Sequence, residues 1–479
     1  MSTKNKFEGG KFYQDYLPDV TKNRAAVAGE RAVKSKGTEF LPPLASMQIG
    51  FNGDPTNGYE QIIYSGLSPE GQIQYKKYLS LAYFYGASGR TVDGLTGLIF
   101  MKPASIELPS QIEAMKKNAD GKGSSLRKLS EELCKEAFIT PRLGLLVDYP
   151  NQDAPMSKAL AETLNLKPKI LTYKFESILE VFFEEINNQQ SITMALLAET
   201  VKSRSGFEVK ESKIYRMLEL DEQGYYQQVI FDEKGDEIEV IQPKMNGQRI
   251  SEIPFYLIEV GTEGKSIIND LVDANFNHYR FFADYASKEH SSAFPIFWET
   301  GVMQSSCSNN YIGPAVKWEN PSSEANFGIL QSASDGGSMR QYLLDMEARM
   351  AALGAEMLKP RIAGAESAES KSLDQVAQNS TVGSVAINVS EAITKALEFS
   401  ARWSGYSGDE IAYSLNQDYN PSRMSAQDLT ALVASVQGGV ISYETFYENL
   451  KKGEIARPKV TAEQEREQIL NESIGMGEA

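Results

Sequence analysis

Histidine is nearly absent. Only His278 and His290 occur in 479 residues, whereas acyl or proton transfer ordinarily relies on a histidine, a matched carboxylate pair or an activated nucleophile. His278 falls in an apolar helical stripe and reads as a packed or interface residue, and His290 as a helix-end residue favoured by the dipole. No serine sits in a Gly-x-Ser-x-Gly elbow, and no His-Glu-x-x-His pair occurs. The nearest approach to a phosphate loop, Asp120-Gly121-Lys122-Gly123-Ser124-Ser125, lacks the earlier glycine and the Gly-Lys-Ser/Thr order, and reads as a linker. Cysteine is as scarce: Cys134 and Cys307 cannot build a disulfide scaffold or a metal site. Long apolar runs are missing too. The stretch around Leu95–Phe100 is far short of the roughly 20 residues that cross a bilayer, and Met1–Asp19 lacks the apolar centre of an export signal. The expectation is a chain with no metal, no cofactor, no membrane partner and no enzymatic activity.

What is present is size and negative charge. Hydrophobic residues at 41% and charged residues at 23% are ordinary for a folded protein, and the length exceeds what one core usually supports. The formal charge of −16 sets up a field that repels nucleic-acid phosphate, so a broad basic DNA-binding face is excluded. It does not exclude DNA passing through an opening, where weak attraction is an advantage. Carboxylates that fall close together, such as Asp345 and Glu347, carry no weight alone among 64 acidic residues.

The pattern along the chain is α+β. A helix opens at Ser68-Pro69, where serine caps and proline suits the first turn, and runs into the aromatic stretch Tyr75–Tyr85. Chain direction changes after Gly94–Phe100, at Lys102-Pro103. A polar connector, Lys116–Ser125, precedes a helix with Leu126, Leu129, Leu133 and Ala137 on one stripe, and then a short buried strand, Gly144–Pro150. From Pro168 to Val260 short β-runs alternate with turns at Asp221–Gly224 and Asp232–Gly235; Tyr225–Phe231 and Glu237–Ile241 read as a hairpin. Its acidic residues Asp232, Glu233, Asp236, Glu237 and Glu239 lack the ligand order of a calcium loop and read as solvated.

A long helix follows Gly264, with Ile268, Leu271, Asn275, His278, Phe282 and Tyr285 spaced 3, 4, 3, 4, 3. If it runs to Ser291 it spans roughly 40 Å, a length suited to a strut or channel wall. Ile296–Trp298 and Val316–Trp318 read as strands. The Gly/Ser-rich stretch Gln331–Ser338 then enters a helix with Met339, Leu343, Met346, Met350, Leu353 and Met357 on one face, a methionine stripe that fills a core or packs between subunits. Val385, Val389, Ile393, Ala396 and Leu397 mark a further helix over Val382–Trp403. Helices over Ser425–Val436 and Ser442–Lys451, and a capping box at Thr461–Gln464, complete the chain.

Several of these segments, in this order, resemble a branch of the tailed-phage portal proteins long catalogued only as a domain of unknown function. Arg90–Phe100 followed by Lys102-Pro103 looks like that branch's most recognisable stretch. Gly144–Pro150, Ile253-Pro254-Phe255, Asp270-Leu271 through Asn275, His278-Tyr279 and Asp284-Tyr285 before Pro295 are similar to later ones. So are Ile312-Gly313-Pro314, Met350–Ala355, Glu366-Ser367-Ala368 and Ala401–Gly405. The series covers residues 60 to 450, and matches are sparse over Lys169–Glu199.

The resemblance implies a ring, typically of twelve subunits, with wing, stem, clip and crown around an axial channel. On that anatomy residues 1–124 form an N-terminal wing part and 125–150 a first stem helix with its strand. Residues 151–262 are a β-rich clip or wing module and 263–295 a second stem helix. Residues 296–423 are a wing with a channel loop and long helices, and 424–479 a helical crown. Ser334, Asp335, Gly336, Gly337 and Ser338 are channel-loop candidates, with an exposed turn away from the axis as the competing reading. Leu271, His278, Phe282, Tyr285, Met346 and Met350 are candidates for the seam between subunits. The implied function is a conduit at one capsid vertex through which double-stranded DNA is packaged and ejected without sequence readout. Implied partners are the terminase, a head-tail adaptor and the capsid or scaffold protein, in a virion assembled in the host cytoplasm. The rivals are an adaptor or minor head protein and, from another class, a hydrolase with an unrecognised site.

Overall fold

The structure is a computed structural model that describes residues 7–52, 60–149, 167–186, 188–261, 264–293, 296–300, 324, 326–330, 336–354, 368–406, 411–417, 419, 426–453, 455–457 and 460–475. The chain divides into two compact units, Met1–Gln417 and Asp418–Ala479. Helix and sheet are both extensive, so the class is α+β.

The first unit opens with a helix that the polar N-terminal sequence does not announce, α1 (Lys11–Ala28), joined to the short α2 (Glu30–Ser35) through Gly29 at φ 90°. A hairpin of β1 (Ile49–Asn52) and β2 (Glu60–Ile63) leads to α3 (Pro69–Leu81). Here Ser68 Oγ accepts the Gly71 N–H at 2.9 Å and Pro69 occupies the first turn, as the sequence dictates. Helix α4 (Ala87–Ile99) buries Ala87, Thr91, Val92, Leu95 and Ile99, a stripe of helical period, so Gly94–Phe100 ends a helix before the turn at Pro103. The short strand β3 (Ser105–Glu107) follows.

Helix α5 (Leu126–Ile139) is capped by Ser125 and buries Leu126, Leu129, Leu133 and Ala137. Strand β4 (Arg142–Asp148) is the centre of a three-stranded antiparallel sheet, between β5 (Lys169–Tyr173) and a later strand. Leu143, Leu145, Leu146 and Val147 are all buried, the continuous apolar run of a strand covered on both faces. The next strands, β6 (Ile178–Ile186), β7 (Gln189–Ser205), β8 (Glu208–Leu220), β9 (Tyr226–Phe231) and β10 (Glu237–Ile241), form an antiparallel meander in order 10-9-8-7-6. A two-residue pair, β11 (Lys244–Met245) with β12 (Gln248–Arg249), precedes β13 (Phe255–Glu259), which pairs with β4.

Helix α6 (Asn269–Ser292) follows, then β14 (Ile296–Thr300) and β15 (Asn326–Leu330), paired antiparallel, and then α7 (Gly337–Leu353). The strand expected at Val316–Trp318 and the seam position Met357 lie outside the described residues. Helix α8 (Ala368–Trp403), 36 residues and about 54 Å long, buries Val382, Val385, Val389, Ile393, Ala396 and Leu397 against β4, β13, α4 and α5. Strand β16 (Ala412–Ser414) returns to pair with β3.

The second unit is helical: α9 (Ala426–Gln437), α10 (Tyr443–Lys452) and α11 (Ala462–Gly475). Its last helix starts with the expected reciprocal cap. Gln464 N–H donates to Thr461 Oγ1 at 3.2 Å, and Thr461 N–H donates to Gln464 Oε1 at 3.0 Å. Thr461→Ala is expected to cost about 1 kcal/mol of local stability, read as faster amide exchange over residues 462–466 with no change in the first unit.

Candidate assembly and channel surfaces

Helix α6 gains its stability from what covers it, and its chief partner is α7. The contacts run in opposite directions along the two chains: His278 lies against Glu347, the Phe281 ring against Tyr342 at 4.4 Å, and Glu289 beside Gly336. The helices are therefore antiparallel, and the paired strands β14 and β15 lie between them in the chain.

This packing engages most of the seam candidates within the chain. Leu271, Met350 and Ala87 form one buried cluster; His278 and Met346 are buried as well. These side chains satisfy their apolar surface inside the chain and have almost none left to bury against a neighbour. Phe282 and Tyr285 are half-buried, Phe282 packing on Tyr83 at 5.6 Å and on Tyr285 at 6.2 Å. Of the seam candidates, only these two keep surface for an intersubunit contact.

Of the two helices expected to form a stem, α5 packs on α4, α8 and β4, while α6 packs along α7. The channel-loop candidates divide. Ser334 and Asp335 lie outside the described residues, whereas Gly337 and Ser338 form the exposed first turn of α7. Gly336 is the residue before it, at φ 65°, a left-handed conformation that favours glycine, with the Glu289 carboxylate close by.

Asn275 and His278 are the polar members of the α6 stripe. Asn275 Oδ1 accepts from Ser88 Oγ at 3.0 Å, and its Nδ2 donates to the Tyr85 carbonyl at 2.7 Å, which fixes α6 to the start of α4. His278 lies between Tyr85, tilted against it, and Phe282, stacked on it; its Nε2 is 3.4 Å from Glu347 Oε1, but neither ring nitrogen makes a hydrogen bond. Burial pulls the imidazole below its ordinary 6.5, and Glu347 only partly opposes it. The unfolded chain then takes up the proton more readily than the folded one. Stability is full above about pH 6.5 and falls as the pH drops below it, by at most about 1.4 kcal/mol per pH unit. Urea midpoints between pH 7.5 and 5.5 should show this slope, and His278→Gln should flatten it.

Two charged networks tie further elements together. Arg24 of α1 is held by Glu136 of α5 and Glu176. Arg216 of β8 donates to Glu199 of β7 at 2.7 Å and to Gln228 of β9, while the Tyr173 hydroxyl donates to Glu199 at 2.5 Å. Burial pushes the Glu199 carboxyl up, and the Arg216 and Tyr173 bonds overcome it, leaving the group below the ordinary carboxylate value. Among the described residues no group of three or more His, Cys, Asp or Glu is placed to hold a metal, and no helix is long and apolar enough to cross a membrane. In the Asp120–Ser125 linker the Asp120 carboxylate accepts the Lys122 and Ser124 N–H groups at 2.8 and 3.0 Å, so those donors are already used within the turn.

The sequence reading missed one surface. β7 and β8 stay paired from Met194↔Glu219 to Ser205↔Glu208, but β6 pairs with β7 only as far as Leu197, and β9 with β8 only to Tyr215. The end of the β7–β8 hairpin is a two-stranded ribbon beyond the sheet, with Phe207 fully exposed at its tip beside Gly206 at φ 65°. Its signal is an alternation of charge, Lys202 and Arg204 before the turn and Glu208 and Lys210 after it, with little apolar periodicity to read.

Residues 268–404 match the model of a family described as "Domain of unknown function (DUF4055)". The resemblance segments from Asp270 through Ser404 fall within that range. No curated protein matches. Among 57 matching chains of solved structures is one described as "Neck of empty GTA particle computed with C6 symmetry", with 12% identity over 79% of this chain and 93% of that one, at a TM-score of 0.40. A likeness at that level carries no functional weight.

Proposed function

We propose that the chain is a portal-type structural protein, a ring at the head-tail vertex of a tailed-phage particle. In this reading the ring is a conduit for double-stranded DNA, and it docks the terminase during packaging and head-tail connectors afterwards. The observation that carries it is the antiparallel pair α6–α7, between which the paired strands β14 and β15 lie in the chain. It lies within the segments whose order resembles the portal family. The stem is accordingly assigned to α6 and α7, and the clip to the segment between them. The five-stranded sheet, α5 and α8 then belong to the wing, and α9 to α11 to the crown.

The charge of −16 fits a wall along which a duplex slides without being held. Ser334 to Ser338, leading into and including the first turn of α7, remain the channel-loop proposal. Negative-stain images of the purified protein test the reading: closed rings with a central hole are expected, and a field of single compact particles at all concentrations overturns it.

A further inference from the structure

The β7–β8 ribbon is built in a way that an isolated subunit does not explain. From Thr200↔Lys213 to Ser205↔Glu208 it extends roughly 17 Å at 3.4 Å per residue, and among the described residues no third strand pairs with either side. The described side chains from Val201 to Lys213 are exposed on both faces, including Val201, Phe207 and Val209. A two-stranded ribbon of this kind is at best marginally stable in water, and its open edges are a liability that proteins normally cover. Its charge is opposite to that of the molecule: Lys202 is paired with Glu211 at 2.7 Å, and Arg204, Lys210 and Lys213 outnumber Glu208, on a chain of net −16.

The complementary surface lies on the same sheet. Strand β10 is its edge, and Glu237, Ile238, Glu239 and Val240 are exposed there. The neighbouring carboxylates are already engaged: Asp232 accepts the Lys234 and Asp236 N–H groups of its own turn, and Glu233 accepts the Lys213 N–H at the root of the ribbon. Glu237 and Glu239 flank the exposed Ile238, just as Arg204 and Lys210 stand near Phe207 and Val209.

We infer that the ribbon is an arm that docks on the β10 edge of a second copy of this chain, its cations against Glu237 and Glu239 and its apolar tip against Ile238 and Val240. One surface on each copy meets a different surface on the next, which is the head-to-tail contact that closes a ring. The opposite charges fix its register and partner. The inference rests on the ring reading.

The test is a charge swap in the full chain. One variant carries Arg204→Glu and Lys210→Glu; another carries Glu237→Lys and Glu239→Lys; a third carries all four. Circular dichroism should be unchanged in each, since every substituted side chain is exposed. Each partial variant is expected to raise the concentration for half-assembly by at least about tenfold, and the complete swap to restore it to within about threefold. Unchanged assembly in both partial variants overturns the arm and leaves the ring standing. Normal assembly with lost retention of duplex DNA overturns it in favour of a nucleic-acid contact. A wild-type chain that never assembles overturns the ring reading and the arm together.

Discussion

Leu271→Ala is expected to lower the unfolding free energy by about 2–5 kcal/mol, and Leu271→Asp to leave no folded subunit. The side chain is 2% exposed and meets Met350 of α7 and Ala87 of α4, so truncation opens a cavity at the junction of three helices. A carboxylate there has no cation to pair with in the cluster and must be buried neutral or drive the helices apart. Phe282→Asp is the contrasting case, about three turns further along the same stripe at a half-buried position, and should retain the fold. Urea denaturation followed by helical circular dichroism separates the two. A folded, merely unassembled Leu271→Asp would return Leu271 to a subunit interface and contradict the packing described above.

Arg216→Met should cost about 3–5 kcal/mol at neutral pH, because it strands the Glu199 carboxylate between β7 and β8 with its charge uncompensated. The sign of the pH dependence follows from Glu199. Its folded value is depressed below the ordinary 4.5, so the stability it contributes is present above that value and is lost as the pH falls through the folded one. The gap between wild type and Arg216→Met should therefore narrow below about pH 4.5. The double variant Arg216→Met with Glu199→Gln should recover much of the loss, since both partners are then uncharged. A gap independent of pH would mean that Arg216 acts through packing alone.

The elements with strong local signals were legible in the sequence. Ser68-Pro69, Ser125 and Thr461–Gln464 set three helix starts through short-range hydrogen bonds, and the 3.6-residue stripes of α5, α6 and α8 announced their buried faces. Helix α1 was not legible, because only Val20, Asn23, Ala25 and Ala26 of its surface are buried and polar residues surround them. The seam was legible as a seam, but periodicity gives a buried face without its partner. Leu271 and Met350 find each other inside one chain, a fact that only the fold supplies. Nor does periodicity announce that α7 is the helix packed along α6. The ribbon was missed because its few apolar residues, Val201, Phe207 and Val209, do not alternate regularly and so mark no side as buried.

The mass of the purified protein in solution, by light scattering across a range of concentrations, tests the central claim most directly. The ring reading predicts a discrete species of about twelve times the 53.0 kDa subunit; a single species at 53.0 kDa up to the highest concentration reached would contradict it.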